Sequence, residues 1–495
     1  MSLSRNLVAG MASSIWTAVI GLAVVPLYLK YLGIEAYGLI GFFATIQAVL
    51  SLLDMGLAPT INREVARCSA SGNMNEARSL LHSLAIVYWA MACMIALAVA
   101  GLAPFIAGHW LQSRNLPQET ISHAVMLMGL VAACRWPVGL YQGALMGLQK
   151  IALSSGVASA IGTLSSLGAI SVLAFISPTI EAFFIWQACV GIGYALTIRW
   201  ITWQSIGSKN QSRQFSFDAL KRIWRFSAGM SGVAVTSVIL MQLDKVLLSR
   251  MLNLDDFGRY VLAGVIANGL YIMLSPLFNA IYPRMTALVA SGEKEKLIEL
   301  YKSGTRLFLA LFFPIAIMVA IYSKDLLYLL TRNEHLASST ATIASLLLLG
   351  TALNGVMHFP YALQLAYGST RLPLTITVVL ILILAPMIII LTLSYGAIGG
   401  ASAWFLLNIS YLCFGTWITH KELLIGHALD WLIHSVGLPL VVSLLVITLG
   451  WQTTHLEGSY FHNLLWGGSF IILALSVNLF LMPKEFLLKL IPEML

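Results

Sequence analysis

Charge is what this sequence has least of. Lys, Arg, Asp and Glu make up 10% of its 495 residues, against about 25% in soluble globular domains. That scarcity excludes a water-soluble fold, and the mean hydropathy of +0.86 agrees. Cysteine is also scarce, five residues, none paired by spacing, so no disulfide framework or zinc site is indicated. His420, His427 and His434 share a helix face but stand about 10 Å apart per step, too far to share a metal; they read as interfacial polar residues. No Walker sequence is present, which excludes ATP hydrolysis by this chain. The alternating ten-residue segments of a membrane barrel are missing. No signal-peptide cleavage pattern follows the first apolar run, which is long enough to remain as a helix.

What is present is apolar length. Fourteen runs suit a bilayer crossing of about 20 residues: 6–29, 36–60, 81–108, 120–146, 154–176, 181–204, 224–250, 259–283, 305–329, 339–366, 372–394, 397–420, 433–451 and 461–482. In lipid every backbone amide needs an internal partner, so the runs are expected to be helices. The expected fold is an all-α polytopic membrane protein of about 14 transmembrane helices. Lys and Arg set its orientation. With the N-terminus cytoplasmic, inner connections hold 20 of them and outer ones 6, leaving Arg135 and Lys245 inside helices. Both termini are therefore placed in the cytoplasm. The net charge of +8 is an orientation signal, not a nucleic-acid signal.

The chain also repeats itself. Ala9-Gly10-Met11 returns as Ala228-Gly229-Met230, at an offset of 219. Glu35, Tyr37 and Gly38 return as Asp255, Phe257 and Gly258, at 220, and Ala70-Ser71-Gly72 as Ala290-Ser291-Gly292, also at 220. Helices 1–6 and 7–12 thus read as two copies entering the membrane the same way, with a site expected between them near midplane. The implied division is an N-lobe at 1–204, a cytoplasmic linker at 205–224, a C-lobe at 225–422, and helices 13–14 with a cytoplasmic tail at 423–495. Gly38 and Gly258 are read as allowing tight entry to the next helix. Glu35 and Asp256 stand where a carboxylate favours a helix N-terminus.

The opening RNLVAGMASSIWTAVIGLAVVPLYLKYLGIEAYGLIGF, from Arg5 to Phe42, resembles the start of bacterial polysaccharide-biosynthesis flippases. These belong to the multidrug/oligosaccharidyl-lipid/polysaccharide (MOP) exporter superfamily. INREVAR at 61–67, GALMGLQKI at 143–151 and LDKVLLSRMLNLDDFGRY at 243–260 agree with it. The resemblance covers helices 1–12. It implies two pseudo-symmetric six-helix lobes, plus two extra C-terminal helices, in the alternating-access architecture of the multidrug exporters. The implied cargo is a polyprenyl-pyrophosphate-linked oligosaccharide, an O-antigen or exopolysaccharide repeat unit, moved from the inner to the outer leaflet of the bacterial inner membrane. The implied partners are that lipid, membrane lipid, and a glycan polymerase or other pathway membrane proteins. No cofactor is implied beyond an ion or proton gradient or the membrane potential.

Charge inside a membrane costs about 2.5–3.5 kcal/mol per residue on insertion scales, so Asp54, Arg135, Asp244 and Lys245 are informative. Arg135 shares a stripe with Gly139, Gly143 and Gly147, and Trp136-Pro137 follow it. Its planar fork suits a phosphate; alternatively it ties broken backbone or Asp54. Asp244 pairs with Arg135, meets substrate, or takes a proton. Lys245 lines the cavity or snorkels. Asp54 is a coupling site or a static pair, and Arg63 is placed at the inner mouth. Substrate-binding candidates are Arg135, Lys245, Asp244 and Arg63; coupling candidates are Asp54 and Asp244. His358 and Pro360 mark an expected kink and gate. Gln47, Gln187, Asn268, Asn354 and Asn408 either meet sugars or glue helices.

Three functions compete. A flippase needs cations for a pyrophosphate. A cation-coupled multidrug antiporter of the same superfamily needs acids dominating its cavity, whereas interior acids and bases here number two each. A membrane enzyme needs a large outer loop with clustered catalytic groups, which the short connections do not offer. The expectation is a transporter and not an enzyme.

Overall fold

The computed structural model describes residues 3–54, 56–207, 217–454 and 460–482. Residues 208–216 of the expected linker and the tail beyond residue 482 lie outside the described residues. By contacts the chain divides into two compact units, Met1–Gly258 and Arg259–Leu495. Both are helical. Among the described residues the only β pairing is one bridge between Gln112 and Asn253.

The first unit holds α1 (Leu3–Leu50), α2 (Leu57–Ala70), α3 (Met74–Phe105), α4 (Gln118–Gly147), α5 (Ile151–Phe175), α6 (Ile180–Ile206) and α7 (Phe217–Met251). Gly33 breaks α1 with φ 77 and ψ 174, a backbone region that only glycine enters cheaply. The centre of the unit is α4, mostly buried and packed on α2, α3 and α6. The opening helix of the second repeat, α7, also belongs here and packs on α1, α2 and α3.

The second unit begins within α8 (Leu254–Asn268) and continues through α9 (Tyr271–Ser291), α10 (Lys294–Ile321), α11 (Ser323–Thr331), α12 (Glu334–Val356), α13 (His358–Ala366), α14 (Arg371–Ser410), α15 (Thr416–Leu423), α16 (Ala428–Asp430), α17 (Leu438–Thr454) and α18 (Tyr460–Phe480). Here α10 is central, with α9, α12, α17 and α18 around it. The last two helices, outside the repeat, therefore pack on a helix inside it.

Among the described residues 11 helical spans are long and apolar enough to cross a membrane. Two of these, Ala12–Asp54 and Arg371–Leu423, contain the breaks at Gly33 and Gly396. Several runs read as continuous are interrupted. The run 36–60 passes through a 3₁₀ turn at Ser51–Asp54 and a left-handed Gly56 (φ 75). The run 259–283 stops at Gly269–Leu270, and 339–366 stops at Met357, three residues before Pro360. Proline has no N–H to donate, so the break falls within the turn preceding it.

The repeat is visible in local structure. The starts of α3 and α10 lie 220 residues apart, as do those of α5 and α14. Gly72 (φ 73) and Gly292 (φ 74) both take the left-handed conformation, each closing its preceding helix. The two acidic–aromatic–Gly loops do more than repeat. A Cβ on Gly38 would stand 2.7 Å from the Leu254 carbonyl oxygen, and one on Gly258 would collide with the Ile34 carbonyl oxygen. The equivalent glycines press backbone on backbone. Reading them as entry turns is thus corrected: they are the bare faces of a helix contact.

Candidate functional site

In the first unit, α4 presents Arg135 from its buried centre. The stripe below it behaves as its spacing predicts at two positions. A Cβ at Gly143 would lie 2.6 Å from the Ala58 carbonyl oxygen, and one at Gly147 would lie 2.5 Å from that of Asn62. The stripe therefore seats α2 on α4. Nothing stands within 4 Å of a Cβ at Gly139, the residue nearest Arg135, and there the helices part.

Two cavities open at that point, and Arg135 lines both. The larger, about 470 Å³, lies among α1, α4, α5 and α6 and is lined by Trp16, Thr17, Gln142, Ser159, Thr163, Ser165, Ser166 and Tyr194 among others. Among the described residues of its lining, Arg135 is the one that carries charge. The smaller, about 330 Å³, adds Gln47, Ser51, Asp54 and Trp136. Arg135 donates to Gln187 Oε1 at 2.6 Å, and Ser165 Oγ donates to the same oxygen at 2.6 Å. Gln187 and Ser165 are buried. Arg135 thus has a neutral amide holding one nitrogen. Among the described residues no carboxylate oxygen comes within 4 Å of it. The expectation that it ties backbone, Asp54 or Asp244 is not what the structure shows. A half-buried guanidinium with spare donors and no counter-charge is arranged to take an anion.

Asp54 closes the 3₁₀ turn and accepts hydrogen bonds from the Tyr88 hydroxyl and from the Ala58 amide at 3.2 Å. It caps the first turn of α2, where a carboxylate opposes the helix dipole, while lining the smaller cavity. Tyr88 itself is buried, and no sequence signal joins residues 34 apart on separate helices. Asp244, also buried, takes an ion pair from its neighbour Lys245 at 3.2 Å, and the lysine adds the Met241 carbonyl at 3.0 Å. Successive residues point about 100° apart, so the long lysine stem folds back to make this pair. Arg63 stands on the exposed side of α2, away from both cavities. Nearby Arg67 is committed to Glu76 at 2.7 Å and Glu64 at 2.9 Å. The hydrogen bond to Glu76, then that to Glu64, holds its guanidinium above the ordinary range.

The second unit gathers the mid-helix amides instead. Tyr271 donates to Asn354 Oδ1 at 3.0 Å, and Asn354 donates to Asn408 Oδ1 at 2.9 Å. His358 Nδ1 lies 3.3 Å from the Asn354 carbonyl, at the break between α12 and α13, with Pro360 buried in the first turn after it. Asn354 and Asn408 are helix glue here. His420 corrects an expectation: it is buried, with Nδ1 at 2.8 Å from the Thr416 carbonyl, against Tyr301 and Trp431. It is not interfacial.

A family model described as "Polysaccharide biosynthesis protein" matches residues 3–289. The chain belongs to that family. A second model, MatE, matches residues 230–391 of this polysaccharide biosynthesis protein. A curated relative, "Putative O-antigen transporter" of Shigella flexneri, is 20% identical over 408 residues, which is 82% of this chain and 94% of that one. Among solved structures, "Lipid II flippase MurJ, inward closed conformation" superposes with a TM-score of 0.66 at 16% identity, over 96% of this chain and 98% of that one. An inward-facing multidrug resistance MATE family transporter of the MOP superfamily gives 0.65 at 15% identity, over 85% and 99%. The fold is therefore theirs, and this polysaccharide biosynthesis protein is a multi-pass membrane protein.

Proposed function

We propose that this protein is a flippase for a polyprenyl-pyrophosphate-linked oligosaccharide, carrying it from the inner to the outer leaflet of the bacterial inner membrane by alternating access. The observation that carries the reading is Arg135: a guanidinium lining two cavities with, among the described residues, no carboxylate oxygen within 4 Å of it. An anionic cargo supplies the missing charge. The hydroxyls and amides of the larger cavity, among them Thr17, Gln142 and Tyr194, suit sugars, which present donors and acceptors in equal measure. The family match and the relative named for O-antigen transport support this reading, as does the fold shared with a lipid II flippase. On it, Asp54 and the Asp244–Lys245 pair serve coupling, and the break before His358 and Pro360 serves gating. Fourteen crossings follow from dividing α1 at Gly33 and α14 at Gly396 and adding α7.

The test is transport of a labelled lipid-linked oligosaccharide in vesicles. Arg135→Ala is expected to reduce flipping at least about tenfold, the worth of a charge-assisted hydrogen bond, with Arg135→Lys partly restoring it. Normal flipping by a normally folded alanine variant refutes the assignment. The MatE match over 230–391 favours one second reading, a cation-coupled drug antiporter. Proton-coupled ethidium efflux by this protein would establish it instead.

A further inference from the structure

The second unit carries a groove that the transport reading does not use. Residues 369–383 and 410–422 line one cleft of about 460 Å³, so the first arm of α14 runs beside the π turn and α15 that continue the chain after the bend at Gly396. Leu372, Ile376 and Ile383 form one wall, Phe414 and Ile418 the other, each at helical spacing. Ile383 and Phe414 are 41% and 64% exposed. The second wall is shaped by a π turn at Tyr411–Gly415, a departure from α geometry common where helices bind something. Gly415 makes room for it: a Cβ there would stand 2.7 Å from the Tyr411 ring.

Arg371 and Glu422 line the same groove at one end. Both are exposed, and neither makes an ion pair or hydrogen bond among the described residues. Lys421 beside them is already held over the Trp417 ring at 5.1 Å. An apolar groove between membrane-spanning helices suits a hydrocarbon chain, and its charged mouth selects the head. Arg371 takes a phosphate through its planar fork. Glu422 repels a second anionic group and takes an N–H cation. Glycerol heads lack the cation, and choline heads lack the N–H.

We propose that this groove is a binding site for a phospholipid with an ethanolamine head, one chain between the two walls, its phosphate on Arg371 and its ammonium on Glu422. The site rests only on the chain spanning a membrane, and its readout is not transport. The test is native mass spectrometry of the full-length protein in detergent, supplied with equal amounts of phosphatidylethanolamine, phosphatidylglycerol and phosphatidylcholine. The expected result is preferential retention of the ethanolamine lipid by about tenfold. Glu422→Gln should abolish the preference over phosphatidylglycerol, and Arg371→Gln should lower retention of all three. Ile383→Trp, which fills the groove without touching either charge, should lower retention as well. No retained lipid, equal retention of the three by the native protein, or native retention in every variant would overturn the proposal.

Discussion

Glu35 shows how much one side chain does at a helix break. It sits just after Gly33, is 6% exposed, and accepts from the Ser113 hydroxyl, the Arg114, Asn115 and Leu116 amides and the Asn115 side chain, at 2.9–3.3 Å. The sequence reading saw an acid favouring its own helix start. The structure shows it gathering the loop between α3 and α4. Removing its charge leaves several partly buried donors facing a weaker acceptor, a loss of about 1–3 kcal/mol. Glu35→Gln should lower the apparent melting temperature in detergent measurably, and an unchanged temperature would mean the loop is held elsewhere. Arg135 was legible for the opposite reason: a charge in an apolar run announces itself through its insertion cost. That Gln187, read as sugar contact or helix glue, and Ser165 are its partners was not legible, because an amide and a hydroxyl are cheap enough to occur anywhere in such helices.

Among elements, the glycine stripe and the paired loops follow one rule. Where a helix must touch another through its backbone, the side chain is removed. Gly258 is such a place and Gly264, with nothing within 4 Å of a Cβ, is not. Gly258→Ala is therefore expected to reduce the yield of monodisperse protein and its thermal stability, with Gly264→Ala close to native. Equal behaviour of the two would show that the contact at Ile34 yields without cost. Element positions were readable from apolar length, and the starts of α3, α5, α10 and α14 fall on the repeat. Element interruptions were less so. Those at Asp54 and Met357 follow from a left-handed glycine and a proline. The π turn at Tyr411–Gly415 answers to packing that no local pattern records.

For the molecule as a whole, duplication was legible in recurring loops, and orientation is expected from the distribution of Lys and Arg. The second yields a direct expectation. A C-terminal green fluorescent protein fusion should fluoresce and an alkaline phosphatase fusion at the same place should be inactive, and the reverse pattern would invert the assigned topology. The guanidinium of α4, bonded only to neutral groups among the described residues, has an electrical corollary at this scale. On the proposed function, a carrier holding a pyrophosphate over Arg135 has a negative larger cavity; emptied, that cavity keeps the positive charge of Arg135. In a cell negative inside, the field helps a negative hollow exchange its opening outward and a positive one exchange it inward, at about 2.3 kcal/mol per charge and 100 mV. Both legs of the cycle then run downhill in voltage, because the protein leaves that charge for its passenger to cancel.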